Sequence, residues 1–167
     1  MVSSSTYAFK ADTGDKIYRR SVYSFWKRAL PPPQMTIFDA PTREACIARR
    51  ERTNTPLQAL VLMNEPQYFE AELYFANQIV DMPARSDADR LRFAYETITA
   101  RLPDQDELQL LQNGLERFRA DYGNDRAAAN SLTESIKDAS DAERIELSAF
   151  TMVTNAIFNL DITKTRD

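Results

Sequence analysis

The sequence contains no histidine. That excludes imidazole acid–base catalysis, Ser–His and Cys–His nucleophilic pairs, and histidine metal sites. A single cysteine, Cys46, leaves no internal disulfide, no four-thiolate zinc site and no c-type haem attachment. The three glycines, Gly14, Gly114 and Gly123, lie far apart, so no Gly-rich loop can cradle a phosphate. Apolar runs are short, the longest around residues 59–63, and none is long enough to cross a bilayer. Residues 1–7 have neither a basic n-region nor an apolar h-region, so no signal peptide is expected there. No useful stretch alternates with period two and no repeat of fixed period occurs, which argues against strands and solenoids.

What is present is an ordinary globular composition. The 167 residues are 43% hydrophobic and 28% charged, enough for one domain with its own core. Charge is unevenly spread around a net value of −4. Between Lys16 and Arg52 nine basic residues face three acids, a local +6, which leaves −10 for the rest of the chain. Such an asymmetry marks either a basic binding face or an N-terminal layer that docks on the acidic remainder.

Helical periodicity dominates the chain. Residues 1–14 read as a tail or loop. Tyr18, Val22, Phe25, Trp26 and Ala29 form a stripe that predicts a helix over 15–29, with Phe25 and Trp26 packing and Tyr23 exposed. Pro31, Pro32 and Pro33 then predict a stiff extended spacer. Asp39-Ala40-Pro41 reads as a cap and first-turn proline opening a short helix through Arg43, Glu44, Cys46 and Ile47. Cys46 on that helix reads as a small buried group. Thr55-Pro56 repeats the start signal, and the helix after it, 57–63, is apolar on nearly every side and is expected in the core.

A long amphipathic helix follows Pro66 to about Val80, with Phe69, Leu73, Ala76 and Val80 on one face. Ser86 or Asp87 caps the next, striped by Leu91, Tyr95 and Ile98. Leu102-Pro103-Asp104 restarts the chain into a helix bearing Leu108, Leu111, Leu115 and Phe118, and Gly123-Asn124 suggests a turn. The acid-rich stretch Asp104-Gln105-Asp106-Glu107 suits that helix's N-terminus better than a Ca²⁺ site. A weaker helix is predicted over 125–137, and a last one over 141–159 carrying Ile145, Ala149, Met152, Val153, Ala156 and Ile157. The expectation is a compact all-α bundle of about six to eight helices without a sheet. Residues 15–167 make one domain, with a basic layer over 15–63 and acidic helices over 65–161.

The segments Tyr18-Arg19-Arg20-Ser21-Val22-Tyr23-Ser24-Phe25-Trp26-Lys27-Arg28, Phe38-Asp39-Ala40-Pro41-Thr42-Arg43-Glu44-Ala45-Cys46 and Arg49-Arg50-Glu51-Arg52-Thr53-Asn54-Thr55-Pro56-Leu57-Gln58-Ala59-Leu60 are distinctive. Together they resemble the C-terminal domain of unknown function of planctomycete-type multidomain proteins. The likeness continues more loosely through Ala100-Arg101-Leu102-Pro103 to Asn155-Ala156-Ile157-Phe158-Asn159-Leu160-Asp161. The resemblance implies a place in a longer exported protein, periplasmic or extracellular, downstream of a c-type cytochrome domain. It implies no established activity, and any haem would belong to that neighbour.

The polar run before the apolar helix is the candidate binding site: Arg49, Arg50, Arg52, Asn54 and Gln58. Arginine forks hold carboxylates, sulfates or phosphates bidentately, and a helix start adds oriented amides. An anionic polysaccharide is one ligand of that class; an upstream domain of the same polypeptide is the other expected partner. The plainer reading makes the arginines structural ties and Thr55 a simple cap. Asp39 and Glu44 are weak catalytic candidates, since a carboxylate pair can serve as acid and base in glycoside hydrolysis. Their alternative roles are a cap at Pro41 and a salt bridge to an arginine. The acidic net charge and the lack of a reader motif argue against nucleic acid. No metal or cofactor is expected. The function these features suggest is a helical interaction or binding domain rather than an enzyme, with a carbohydrate-active hydrolase as the alternative.

Overall fold

The computed structural model describes residues 18, 21–23, 26, 31–42, 44–49, 53–83, 86–136 and 138–164. Among them are eight α-helices and no strand, the architecture expected from periodicity. They are α1 (Pro33–Ile37), α2 (Pro56–Asn64), α3 (Pro66–Asp81), α4 (Asp87–Thr99), α5 (Gln105–Asn124), α6 (Arg126–Leu132), α7 (Asp141–Phe158) and α8 (Asp161–Lys164).

Each long helix begins where a side chain can satisfy its orphan amides. Thr55 caps α2 and Gln58 returns the bond, a capping box with Pro56 in the first turn. Asp104 with Glu107 and Ser140 with Glu143 do the same for α5 and α7. Glu65 caps α3 by accepting from the amides of Gln67 and Tyr68, and Ser86 caps α4. α4 ends at Ala100, which adopts the left-handed conformation with φ 62°.

α7 is the axis of the bundle, packed on α3 and α5 and flanked by α4 and α6. Leu73, Ala76 and Ile79 of α3 meet Leu91, Ala94, Tyr95 and Ile98 of α4, Leu115 of α5, and Leu147, Phe150, Val153 and Ile157 of α7. The predicted stripes of α4 and α5 therefore face the core, although Leu108, Leu111 and Phe118 are only half-buried beside Leu115. On α7, Ala156 of the predicted stripe faces solvent, while Phe150, absent from that stripe, is fully buried.

Some expectations lie outside the described residues and others fail. The helix predicted over 15–29 lies outside the described residues except for Tyr18, the 3₁₀ turn Ser21–Tyr23, where Tyr23 is exposed, and a half-buried Trp26. The tail at 1–14 also lies outside them. Pro33 opens α1 instead of extending a spacer, because proline is well suited to a first helical turn. No helix forms over the described residues 40–42 and 44–49, and Cys46 is exposed rather than buried. α5 runs through Gly123 and Asn124, and the break falls at Asp125, which ends α5 and caps α6. α6 stops at Leu132, short of the predicted 137, and Arg144 of α7 gathers carbonyls of the turn that follows. Its guanidinium donates to Thr133 O at 3.0 Å, Ile136 O at 3.2 Å and Ala139 O at 3.2 Å.

The largest correction concerns α2. Leu57, Leu60 and Met63 are 52%, 57% and 49% exposed, and the one buried residue of the helix is Gln58, at 2%. The helix is not in the core; it lies on the surface with Leu57, Leu60 and Met63 outward and Ala59, Val61 and Leu62 half-buried.

Candidate functional site

Gln58 organises the region that sequence reasoning singled out. Its Nε2 donates to the carbonyl of Ile37 at 2.9 Å, at the end of α1, and to Thr53 Oγ1 at 3.0 Å. It also reaches Asp39 Oδ2 at 3.4 Å, while its Oε1 accepts from the Thr55 amide at 3.1 Å. Thr53 in turn donates to Asp39 from its amide at 2.9 Å and from its hydroxyl at 2.8 Å. Asp39 holds a left-handed backbone with φ 56°, a conformation Asp tolerates better than most residues. These bonds knot the end of α1, the strand-like approach at 53–55 and the first turn of α2 into one polar clamp. Phe38 adds an edge-on contact to Tyr68 of α3, with ring centroids 6.2 Å apart, which seats the clamp on the bundle.

Asp39 was expected to cap a helix at Pro41. Its carboxylate turns instead to a partner fourteen residues downstream, and the local helix is absent. Glu44 is exposed in the irregular stretch, its amide 3.5 Å from Thr42 Oγ1. Arg49 is exposed there as well, and Arg50 and Arg52 lie outside the described residues. Asn54 points away from the clamp and donates from Nδ2 to Asp161 at the start of α8. The structure thus joins Asp39 to Gln58, ties Asn54 to the C-terminal helix, and leaves Glu44 and Arg49 on the surface. Thr53 and Asp161, which also carry these bonds, lie in the segments quoted for the resemblance but were not singled out as site residues. Gln58 has one, as the only polar residue in an apolar run over 57–63.

Three further polar sites lie elsewhere. In the α3–α7 interface Glu72 is 2% exposed and accepts from Asn155 Nδ2 at 2.7 Å. Burial pushes its carboxyl up to about 7, against the smaller opposing effect of the Asn155 bond. Arg119 of α5 bridges Asp87 of α4, at 2.7 Å, and Glu146 of α7, and its guanidinium lies over the Phe150 ring. The Arg119 bond holds the Asp87 carboxyl below its ordinary range. Arg101 pairs with Glu107, drawing that carboxyl down to about 2, and Tyr95 donates to the same Glu107 at 2.7 Å. Each arrangement pins helices together.

An open groove of about 420 Å³ runs between α3 and the end of α6, with Phe69, Leu73 and Leu132 as its floor and Glu70 and Glu134 at its rim. Tyr18 donates its hydroxyl to Glu70, and that bond pushes the phenol up to about 12. Among the described residues no group of His, Cys, Asp or Glu side chains could hold a metal ion, and no helix is long and apolar enough to cross a membrane.

No curated protein and no solved structure matches the chain. Residues 2–115, which include the clamp, α2, α3, α4 and the first half of α5, match the family PSD1, described as protein of unknown function (DUF1553). With more than half of its length in that match, the chain belongs to the PSD1 (DUF1553) family.

Proposed function

We propose that this chain is a protein-interaction domain rather than an enzyme, and that it docks through the outer face of α2. The inverted burial of that helix carries the reading. A surface helix normally hides its apolar stripe and shows its polar residues. Here Gln58 is inside, bonded to α1 and Thr53, while Leu57, Leu60 and Met63 look outward. Since Gln58 anchors the opposite side, α2 cannot roll its leucines inward without breaking those bonds. A fixed apolar stripe turned to solvent suits a contact face.

The hydrolase alternative draws less support from the geometry. It needs Asp39 and Glu44 to work as a pair on a substrate, and the Asp39 carboxylate is engaged by Thr53 and Gln58 in a structural clamp. The setting implied by resemblance belongs to the same proposal: a longer exported polypeptide, periplasmic or extracellular, with a c-type cytochrome domain as neighbour. The gene upstream tests that setting, through a signal peptide and a Cys-x-x-Cys-His segment.

Hydrogen exchange tests the docking itself. The amides of residues 59–64 are followed in the chain at low concentration, at high concentration, and within its longer polypeptide. Slower exchange in either of the last two states supports a docked α2. Equal rates in all three refute the reading.

A further inference from the structure

We infer that the α3–α7 seam is a proton-operated latch: when Glu72 loses its proton, the layer of α1, α2 and α3 opens from a body formed by α4, α5, α6 and α7. Glu72 lies midway along α3, buried against α7, and Asn155 Nδ2 donates to it at 2.7 Å. Among the described residues, the helices packed on α3 bring it no cation. α2 carries no charged residue, and Asp141, Glu143, Arg144 and Glu146 of α7 all lie more than two turns before Asn155. On α4, Asp87 pairs with Arg90, Asp89 pairs with Arg92, and Glu96 is exposed. The other acids of α3 are engaged elsewhere: Glu65 caps the helix, Glu70 accepts from Tyr18 and Asp81 accepts from Asn77. Across the groove Glu134 adds a further acid. An ionised Glu72 thus has one neutral donor in place of its hydration, and burial raises the carboxyl to about 7. Deprotonation favours any form in which water reaches this side chain.

The polar ties decide which part moves. α4, α5 and α7 are braced without α3: Arg119 of α5 holds Asp87 of α4 and Glu146 of α7, and Arg101 beyond α4 holds Glu107 of α5. Arg144 of α7 secures the turn after α6. α1, α2 and α3 are likewise joined to one another, through Gln58 and through Phe38 on Tyr68. Between the two groups the described polar contacts are Glu72 to Asn155, Asn54 to Asp161, and Arg90 to the Val80 carbonyl at 2.9 Å. The Arg90 bond sits beside the α3–α4 connection, where the layer pivots, and the Asn54 bond is exposed. Glu72 to Asn155 is the buried tie of the three. Leu73, Ala76 and Ile79 lose their cover in the open form, which keeps it a small minority.

Hydrogen exchange of the full chain, at about pH 5 and about pH 8 and over sub-denaturing guanidinium, reads the open form directly. Amides of residues 72–81 are expected to be less protected than those of 108–120 in α5. Their denaturant slope is expected to be shallower, because the opening exposes only part of the structure. From about pH 5 to about pH 8 the α3 protection factors are expected to fall roughly 30–100-fold, as the carboxyl titrates between its ordinary range and its buried one. Glu72→Gln, which has no proton to lose, is expected to keep the shallow slope and abolish the fall. One common protection factor and slope for α3 and α5 would mean that the layer never opens by itself, and overturns the inference. So does an α3 opening that ignores pH, or one whose pH dependence survives Glu72→Gln. Should that variant not fold, NMR titration of the wild-type Glu72 carboxyl carbon takes its place. A midpoint well above the ordinary carboxylate range then supports the latch, and an ordinary one overturns it.

Discussion

Replacing Glu72 with glutamine should stabilise the protein at neutral and alkaline pH while leaving it unchanged in acid. Glu72 sits between α3 and α7 at 2% exposure, with Asn155 Nδ2 donating to it at 2.7 Å. Its folded-state pKa is raised from an ordinary 4.5 to about 7 by burial. A raised carboxyl pKa means the native state holds the proton more tightly than the unfolded chain. Stability from this site is therefore fully present below about pH 4.5, falls as the pH rises towards 7, and is flat above. Each pH unit in that window costs about 1.4 kcal/mol, so the ionised native state is worse off by about 3 kcal/mol at pH 8. Glutamine keeps the shape and can still accept from Asn155, yet it has no proton to lose. Denaturant melts of wild type and Glu72→Gln from pH 4 to 9 give the difference curve, in which other titrating groups cancel. The expected curve is near zero at pH 4.5 and rises to about 3 kcal/mol by pH 8, or roughly 6–12 °C in melting temperature. A difference that does not change with pH would refute the argument that burial perturbs this carboxylate.

Gln58→Ala removes the donor to the Ile37 carbonyl and to Thr53, and leaves a half-buried acceptor without it. A loss of about 2–3 kcal/mol is expected, read by chemical denaturation, with faster proteolysis in 33–55 as its local signature. Arg119→Met leaves Asp87 and Glu146 facing each other without their shared cation. Because all three side chains are a quarter or more exposed, the expected loss is about 1–2 kcal/mol, reduced in 1 M salt to roughly half of that. Ala100→Gly relieves a left-handed alanine at the end of α4, and a gain of roughly 0.5–1 kcal/mol is expected in melting experiments.

The helix starts were legible because their chemistry is local. Thr55-Pro56, Ser86, Asp104 and Ser140 each lie within three residues of the amide they satisfy, so a short window holds the whole signal. The errors occur where a partner is distant. Asp39 has the sequence of a cap for Pro41, but the amide and hydroxyl that win its carboxylate belong to Thr53. The helix predicted over 125–137 ends at Leu132, and the carbonyls of Thr133 and Ile136 in the turn after it are taken by Arg144 on another helix. Neither competitor leaves a mark near the segment it changes.

α2 shows the same limit acting on burial. Composition made it a core helix, since six of the seven residues in 57–63 are apolar. With apolar residues on nearly every side, however, periodicity cannot say which side faces in, and the single polar residue decides. Gln58 finds four partners at the junction of α1 and the 53–55 segment, including the backbone carbonyl of Ile37. A fully buried carbonyl left without a donor costs about 1–3 kcal/mol, comparable to burying one leucine side chain, and the half-buried Ile37 carbonyl costs part of that. Turning Gln58 outward would break all four bonds at once, while turning Leu57, Leu60 and Met63 inward would expose the half-buried Ala59, Val61 and Leu62 in their place. The polar side therefore wins the interior, and the lone glutamine in that greasy run sets which face of the helix looks outward.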